Sequence, residues 1–413
     1  MKSIAASHAR GKVYTDKLFV TGMAARNATA KFGREQVIDA SLGVIADDGG
    51  EIVCLPTVEK LFRTIPIQEI VGYSPVAGLP DYRKSVIEHT FGESKPNAHI
   101  RVAATAGGAG ALANGIWNYY EAGDSVLTHD WYWPPYNTIC SEIGRKLETY
   151  PLFNEKMEFH TKAFAEKVKG LLEKQNSLIT IINSPNHNPT GYSITDREWD
   201  EILTVLIEKA NNKKTVTLLV DIAYIDFSDD PKKARSFMKK FEGLPTNVFV
   251  MLAFSLSKSF TVYGQRTGAL IGISSKKSVI EEFENVILVT NRARWSNINR
   301  GCMNIFIEIQ NDENLRNQIG IERNGYLQLI KNRARTFTNE AAHVGLEVLP
   351  YHGGFFITIP CKDSEKVCER LIKENIFVGP LSKGIRVAVC SVPEAQMKKL
   401  AVKVKDAIGE MDK

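Results

Sequence analysis

The 413-residue chain has little that would mark a membrane, secreted or fibrous protein. No apolar run reaches the 18 or so residues that a spanning helix needs. The start, MKSIAASHARGKVYTDK, lacks the apolar core of a signal peptide, which predicts a soluble, cytoplasmic protein. Only six cysteines are present (Cys54, Cys140, Cys302, Cys361, Cys368, Cys390), with no C-x-x-C pair and no histidine at metal-ligand spacing, so neither a disulfide framework nor a metal site is expected. Basic residues fall in short pairs such as Lys213-Lys214 and Lys276-Lys277, and the net charge is only +5. That balance suits small anions and argues against nucleic acid. There is no internal repeat and no linker-like tract.

What is present is ordinary globular material: 44% hydrophobic, 24% charged, 30 Gly and 16 Pro. At about 150 residues per domain the length suggests two to three domains. Short apolar runs rich in β-branched residues recur at Ser125 to Thr128, Leu178 to Ile182, Val216 to Val220, Val248 to Ala253 and Ala269 to Ile273. Amphipathic segments such as Lys162 to Lys174 and Asp196 to Ala210 separate them. This alternation predicts an α/β domain with a mostly parallel sheet covered by helices on both faces, and chemistry at the carboxyl ends of the strands. After about residue 320 the pattern changes to a helix over Arg323 to Val344, short runs at Leu346 to Leu349 and Phe355 to Ile359, a helix over Ser364 to Glu374, and a run at Ile385 to Val389. A smaller α+β unit fits that order. The first 50 residues have too little apolar material to fold alone and are expected to pack on another part of the protein.

Four segments carry candidate chemistry. Ser255-Leu256-Ser257-Lys258 follows a buried run; its lysine is a nucleophile if desolvated, or a surface residue at a helix start. Asp221 ends the run Thr217 to Val220 and is either a cap or the charge partner of a ligand. Asn183 to Gly191 (NSPNHNPTG) reads as a tight turn that could present the Asn188 amide. Ala104 to Leu112 (ATAGGAGAL) precedes a helical pattern; such small residues let backbone N–H groups close on a phosphate, or let a helix pack closely.

In this order the segments resemble those of the fold type I pyridoxal-phosphate enzymes, specifically the dimeric aspartate/aromatic aminotransferases, from about Ser41 to Val392. The resemblance implies an internal aldimine at Lys258 with pyridoxal 5'-phosphate, and a pyridine-nitrogen partner in Asp221. It implies contacts to the cofactor's 3-oxygen from Asn188 and Tyr224, a ring-stacking Trp133, and phosphate ligands at Gly107, Gly108, Ala109, Ser255 and Arg266. Arg386 would clamp the substrate α-carboxylate, with Gly43 and Phe356 beside the substrate. Tyr73 and Arg292 would enter the site of the other protomer of a homodimer, Arg292 binding a distal carboxylate, although Arg294 competes for that role. The family also implies a seven-stranded large-domain sheet at residues 49–320, a small domain at 321–413, and an arm at 1–48 belonging partly to the small domain.

Three departures from the family pattern stand out. Ala109 replaces a usual threonine, Tyr136 stands where a histidine commonly backs the aspartate, and Ile45 replaces a frequent aromatic. With Trp131 and Tyr132 adding apolar surface, aspartate is not singled out over aromatic substrates. The implied reaction is ping-pong transamination with a 2-oxo acid such as 2-oxoglutarate, the alternative being a pyridoxal-phosphate-dependent β-lyase or decarboxylase.

Overall fold

The structure, a computed structural model, describes residues 4–13, 16–210 and 213–411. Of the opening segment discussed above, residues 1–3 and 14–15 lie outside them. The chain divides into two compact units. The larger comprises Ile52–Lys331 and Pro350–Phe355; the smaller comprises the described residues of Met1–Glu51, with Asn332–Leu349 and Phe356–Lys413.

The strands are β1 (Ile38–Ala40), β2 (His99–Ala106), β3 (Ser125–His129), β4 (Lys146–Tyr150), β5 (Ser177–Asn183), β6 (Thr215–Asp221), β7 (Val248–Ser255), β8 (Thr267–Ser274), β9 (Phe356–Pro360), β10 (Ile376–Leu381) and β11 (Gly384–Ala388). The larger unit holds a seven-stranded sheet in the order β2-β8-β7-β6-β5-β3-β4. Within this sheet β8 pairs antiparallel with both β2 and β7, and the other described pairings are parallel. All eight residues of β7 are buried, as a strand covered on both faces requires. Helix Gly107–Asn118 packs Ala111, Leu112 and Ile116 onto Ile181, Leu219, Met251 and Leu270 of the sheet. Each such buried leucine, isoleucine or methionine contributes about 1.5–3 kcal/mol. Close approach is possible because Gly115 lacks a side chain: a Cβ there would lie 3.2 Å from the Met251 methyl. Gly115 therefore serves helix packing.

The smaller unit carries a four-stranded sheet in the order β1-β10-β11-β9. Its β1 pairs in parallel with β10 through Ile38↔Ile376 to Ala40↔Val378, which is where the chain's opening segment finds its packing partner. The mostly parallel sheet wrapped by helices, with a second, smaller sheet unit, matches the expected fold class.

Some elements differ from expectation. Strand β2 is absent from the apolar runs because His99 and Arg101 are exposed along this sheet edge and Ala103 and Ala104 are weak strand formers. The long helix begins at Glu313, ten residues before Arg323. Its start is fixed by the Asp312 carboxylate, which accepts the Asn314 and Leu315 amides at 2.7 and 3.1 Å. Leu346 to Leu349 forms no strand.

Candidate active site

The reactive candidates of the larger unit sit at the carboxyl ends of β5, β6 and β7. Strand β7 ends at Ser255, whose hydroxyl accepts the Ser257 amide at 3.2 Å and opens the four-residue helix Leu256–Ser259. Lys258 lies in that turn. Its Nζ is 4.8 Å from the Tyr263 ring centre and 5.8 Å from those of Tyr224 and Phe355.

On the adjacent β6, buried Asp221 accepts the Tyr136 hydroxyl at 2.8 Å and the Ala223 amide at 3.1 Å. Burial pushes its carboxyl above the ordinary range, while Tyr136, Ala223 and the charge of Lys258 pull it back. Burial and the neighbouring Asp221 both hold the Tyr136 phenol protonated, so it remains a donor. Trp133 meets Tyr136 edge to face, ring centres 5.6 Å apart.

Strand β5 ends at Asn183, in register with Asp221. The Asn183 amide donates to the Asp221 carbonyl at 2.7 Å, and its side-chain oxygen accepts the Asn188 amide at 2.7 Å. Asn188 Nδ2 in turn lies 3.4 Å from the Tyr224 hydroxyl. Asn183 is thus the post that holds Asn188 beside Tyr224. In the sequence Asn183 only opens the turn that presents Asn188, although a polar residue closing an otherwise apolar buried strand is a visible signal.

A cradle forms where β2 meets helix Gly107–Asn118. Ala106 caps this helix with no side-chain hydrogen bond, so the first-turn N–H groups lack a capping side chain. Gly107 has φ +69°, and a Cβ on it would fall 2.6 Å from Arg266 Nη2. A Cβ on Gly108 would come within 3.3 Å of Ser255 Cβ. Arg266, itself left-handed at φ +51°, donates through Nη1 to the Tyr263 carbonyl at 3.0 Å and the Ser257 hydroxyl at 3.4 Å. Backbone donors, a serine and a guanidinium crowd one small space, a combination suited to a phosphate. Ala109 lies half-buried in the first turn.

Tyr73 and Arg292 face outward from this chain; Tyr73 is 89% exposed. Arg292 donates to the Ser296 hydroxyl at 2.5 Å. Arg294, two residues along the helix end, instead donates to Asn114 at 3.1 Å and lies 5.1 Å over the Trp117 ring.

The smaller unit gathers the remaining candidates. Arg386 on β11 is buried, donates through Nη2 to the Ser41 carbonyl at 2.8 Å, and lies 4.1 Å over the Phe356 ring. A Cβ on Gly43 would fall 2.4 Å from Phe356 Cζ, so only glycine fits beside that ring without rearrangement. Fully buried Arg333, which the sequence reading passed over, donates to the Ala46 and Cys390 carbonyls at 2.9 Å and to Asp48 at 2.8 Å. The segment carrying Gly43 is tied at both ends, to Arg386 at Ser41 and to Arg333 at Ala46.

Comparison with known proteins identifies the family. The family "Aminotransferase class I and II" matches residues 35–404. The cytoplasmic aspartate aminotransferase of Schizosaccharomyces pombe is 27% identical over 293 residues, covering 67% of this chain and 68% of the relative. The aromatic-amino-acid aminotransferase of Paracoccus denitrificans is 26% identical over 268 residues, covering 64% and 65%. The crystal structure of an aminotransferase from Anaerococcus prevotii superposes with a TM-score of 0.96 at 40% identity, over 98% of this chain and all of that one. The chain belongs to the class I and II aminotransferases, enzymes of the fold type I pyridoxal-phosphate-dependent group.

Proposed function

We propose that the protein catalyses transamination between an L-amino acid, aspartate or aromatic, and a 2-oxo acid such as 2-oxoglutarate, in a ping-pong sequence with Lys258 as the reacting amine. The observation that carries this reading is the convergence of the Lys258 turn, the Asp221 carboxylate and the Asn188–Tyr224 pair at three neighbouring strand ends.

The donor set fits pyridoxal 5'-phosphate. The space that a Cβ on Gly107 would fill is lined by Arg266, with Ser255 against Gly108, and suits the phosphate. A buried carboxylate suits a protonated ring nitrogen, and an amide beside a phenol suits the 3-oxygen. When bound, the cofactor withdraws electrons from the bonds at the substrate α-carbon.

The chain's own groups do the rest. Asp221, steadied by Tyr136, would keep a bound cofactor's ring nitrogen protonated. Lys258 would hold the cofactor and would carry a proton to and from the substrate α-carbon, as base and then as acid. Trp133 would stack on the cofactor ring. Arg386 grips the α-carboxylate in two-pronged fashion, its plane set by Phe356 and its roll by the Ser41 carbonyl. Outward-facing Tyr73 and Arg292 serve the site of a second copy in a homodimer, Tyr73 at the phosphate and Arg292 at a distal carboxylate. The named specificities of the two relatives, with Ile45 and the Trp131-Tyr132 pair, support a substrate range that includes aromatic amino acids. The cytoplasm is the proposed site of action.

The test is spectroscopic and then chemical. The purified protein is expected to carry a visible lysine–cofactor absorbance band that Lys258→Ala abolishes; the same band in the variant refutes the assignment. A substrate panel with 2-oxoglutarate as acceptor then ranks amino acids. Ammonia or carbon dioxide released without 2-oxo acid consumption would redirect the reading to a lyase or decarboxylase.

A further inference from the structure

Behind the Lys258 turn lies a buried ionic cluster that the proposed chemistry does not use. Its centre is Asp226, two residues after Tyr224, with a side chain 2% exposed. Arg235 Nη2 reaches Asp226 Oδ1 at 2.5 Å, Arg323 Nη1 reaches the same oxygen at 3.5 Å, and His89 Nε2 lies 2.9 Å from Oδ2. Burial alone would raise the Asp226 carboxyl, but His89, Arg323 and Arg235 more than offset it and hold it well below the ordinary range. Burial, together with the charges of Arg235 and Arg323, lowers the His89 imidazole against the opposing pull of Asp226. One carboxylate is therefore shared by two guanidiniums and an imidazole.

The two arginines do different things with their other nitrogens. Arg235 turns back onto its surroundings, donating to the His89 carbonyl at 3.3 Å and the Pro231 carbonyl at 3.0 Å. Arg323 instead donates through Nε to the carbonyl of Ser259, the residue after Lys258, at 2.9 Å, and lies 5.1 Å over the Phe260 ring. Phe260 continues the same turn, and its amide closes on the Leu256 carbonyl at 3.1 Å.

We infer that Arg323 is a positioning residue for Lys258, holding the Lys258 turn by the Ser259 carbonyl and the Tyr224 turn by Asp226, so that amine and phenol keep a fixed relation. A planar guanidinium suits this job because its Nε and Nη1 donors point in set directions, whereas a lysine can satisfy only one of the two turns well. Four residues in helical form are too short to be rigid alone, so the Lys258 turn needs such an outside tie. The inference rests on the reading of Lys258 given above.

The experiment uses the full chain loaded with pyridoxal 5'-phosphate and follows the pH midpoint of the lysine–cofactor band, which depends on how Lys258 sits relative to the Tyr224 hydroxyl. Arg323→Met and Arg323→Lys are expected to move that midpoint by about half a unit or more and to lower kcat about tenfold with a smaller change in KM. Arg235→Met, which also removes a positive charge from Asp226, is the control: a lower melting temperature with the midpoint unmoved. Arg323→Lys keeps the charge opposite Asp226, and carries the test if Arg323→Met does not fold. A wild-type midpoint and kcat in the Arg323 variants overturn the inference. So does a shift in Arg235→Met as large as theirs, since the effect would then be one of charge alone. A wild-type chain that forms no band overturns the reading of Lys258 itself, and this inference with it.

Discussion

The Tyr136 hydroxyl donates to Oδ2 of Asp221 across 2.8 Å, with both residues buried and the phenol held protonated. A neutral donor therefore stands behind the carboxylate. It stabilises the ionised form of Asp221 without adding a charge that would compete with the ring nitrogen.

Tyr136→Phe removes one of the influences that pull the Asp221 carboxyl down, leaving burial, which pushes it up, less opposed. The acid limb of the kcat profile is expected to move to higher pH, and kcat to fall by about tenfold, as losing one buried hydrogen bond to a charged group implies. A kcat measurement across about pH 5 to 9 decides it; an unmoved acid limb contradicts the role.

Arg292 and Arg294 separate cleanly by their surroundings. Arg292→Leu is expected to raise KM for aspartate and glutamate by about a hundredfold while altering phenylalanine and tyrosine by less than about threefold, as removal of a charge-assisted pair implies. Arg294→Leu loses the Asn114 hydrogen bond and the Trp117 contact, so its cost is expected in stability, about 1–2 kcal/mol, with the substrate ratio kept. Steady-state kinetics and denaturant unfolding on both variants check the pair; equal losses on both substrate types in Arg292→Leu sink the distal-carboxylate role.

Gly43→Ala drives a methyl to within 2.4 Å of Phe356 Cζ, and Phe356 is the plate beneath the Arg386 guanidinium. KM for every amino acid is expected to rise, by about tenfold for a displacement of this size. Adding Phe356→Leu makes room, so the double variant should bind better than the two single losses predict. Strict additivity would show that the ring does not transmit the effect.

The candidate site was legible in the sequence where a polar residue follows an unbroken apolar run, as Lys258 follows β7 and Asp221 follows β6. The supports were far less so. Arg333 and Arg323 stand in a long helix rich in polar residues, where a charged residue reads as solvated, and only the tertiary packing reveals that Arg333 is buried and Arg323 largely covered. The edge strand β2 was hidden for the opposite reason, since exposed His99 and Arg101 interrupt its apolar pattern.

Arg333→Met should be among the more damaging substitutions in the smaller unit. It leaves the Ala46 and Cys390 carbonyls without their shared donor, a loss of about 2–4 kcal/mol. Its ionic partner Asp48 is 63% exposed and can rehydrate, so Asp48→Asn is expected to cost less than about 1 kcal/mol. Urea unfolding midpoints of the two variants measure the difference; similar losses would mean the carboxylate and not the carbonyls is the partner that counts.

Asn183, Asp221 and Ala253 stand side by side across β5, β6 and β7. Neighbouring strands lie about 4.8 Å apart, so this row is a ruler whose graduations belong to the peptide backbone and not to any side chain. Side chains around the site can differ while the marks stay put. Only a slip of one strand past another would erase them, and a slip of one residue would turn Asp221 to the opposite face of the sheet.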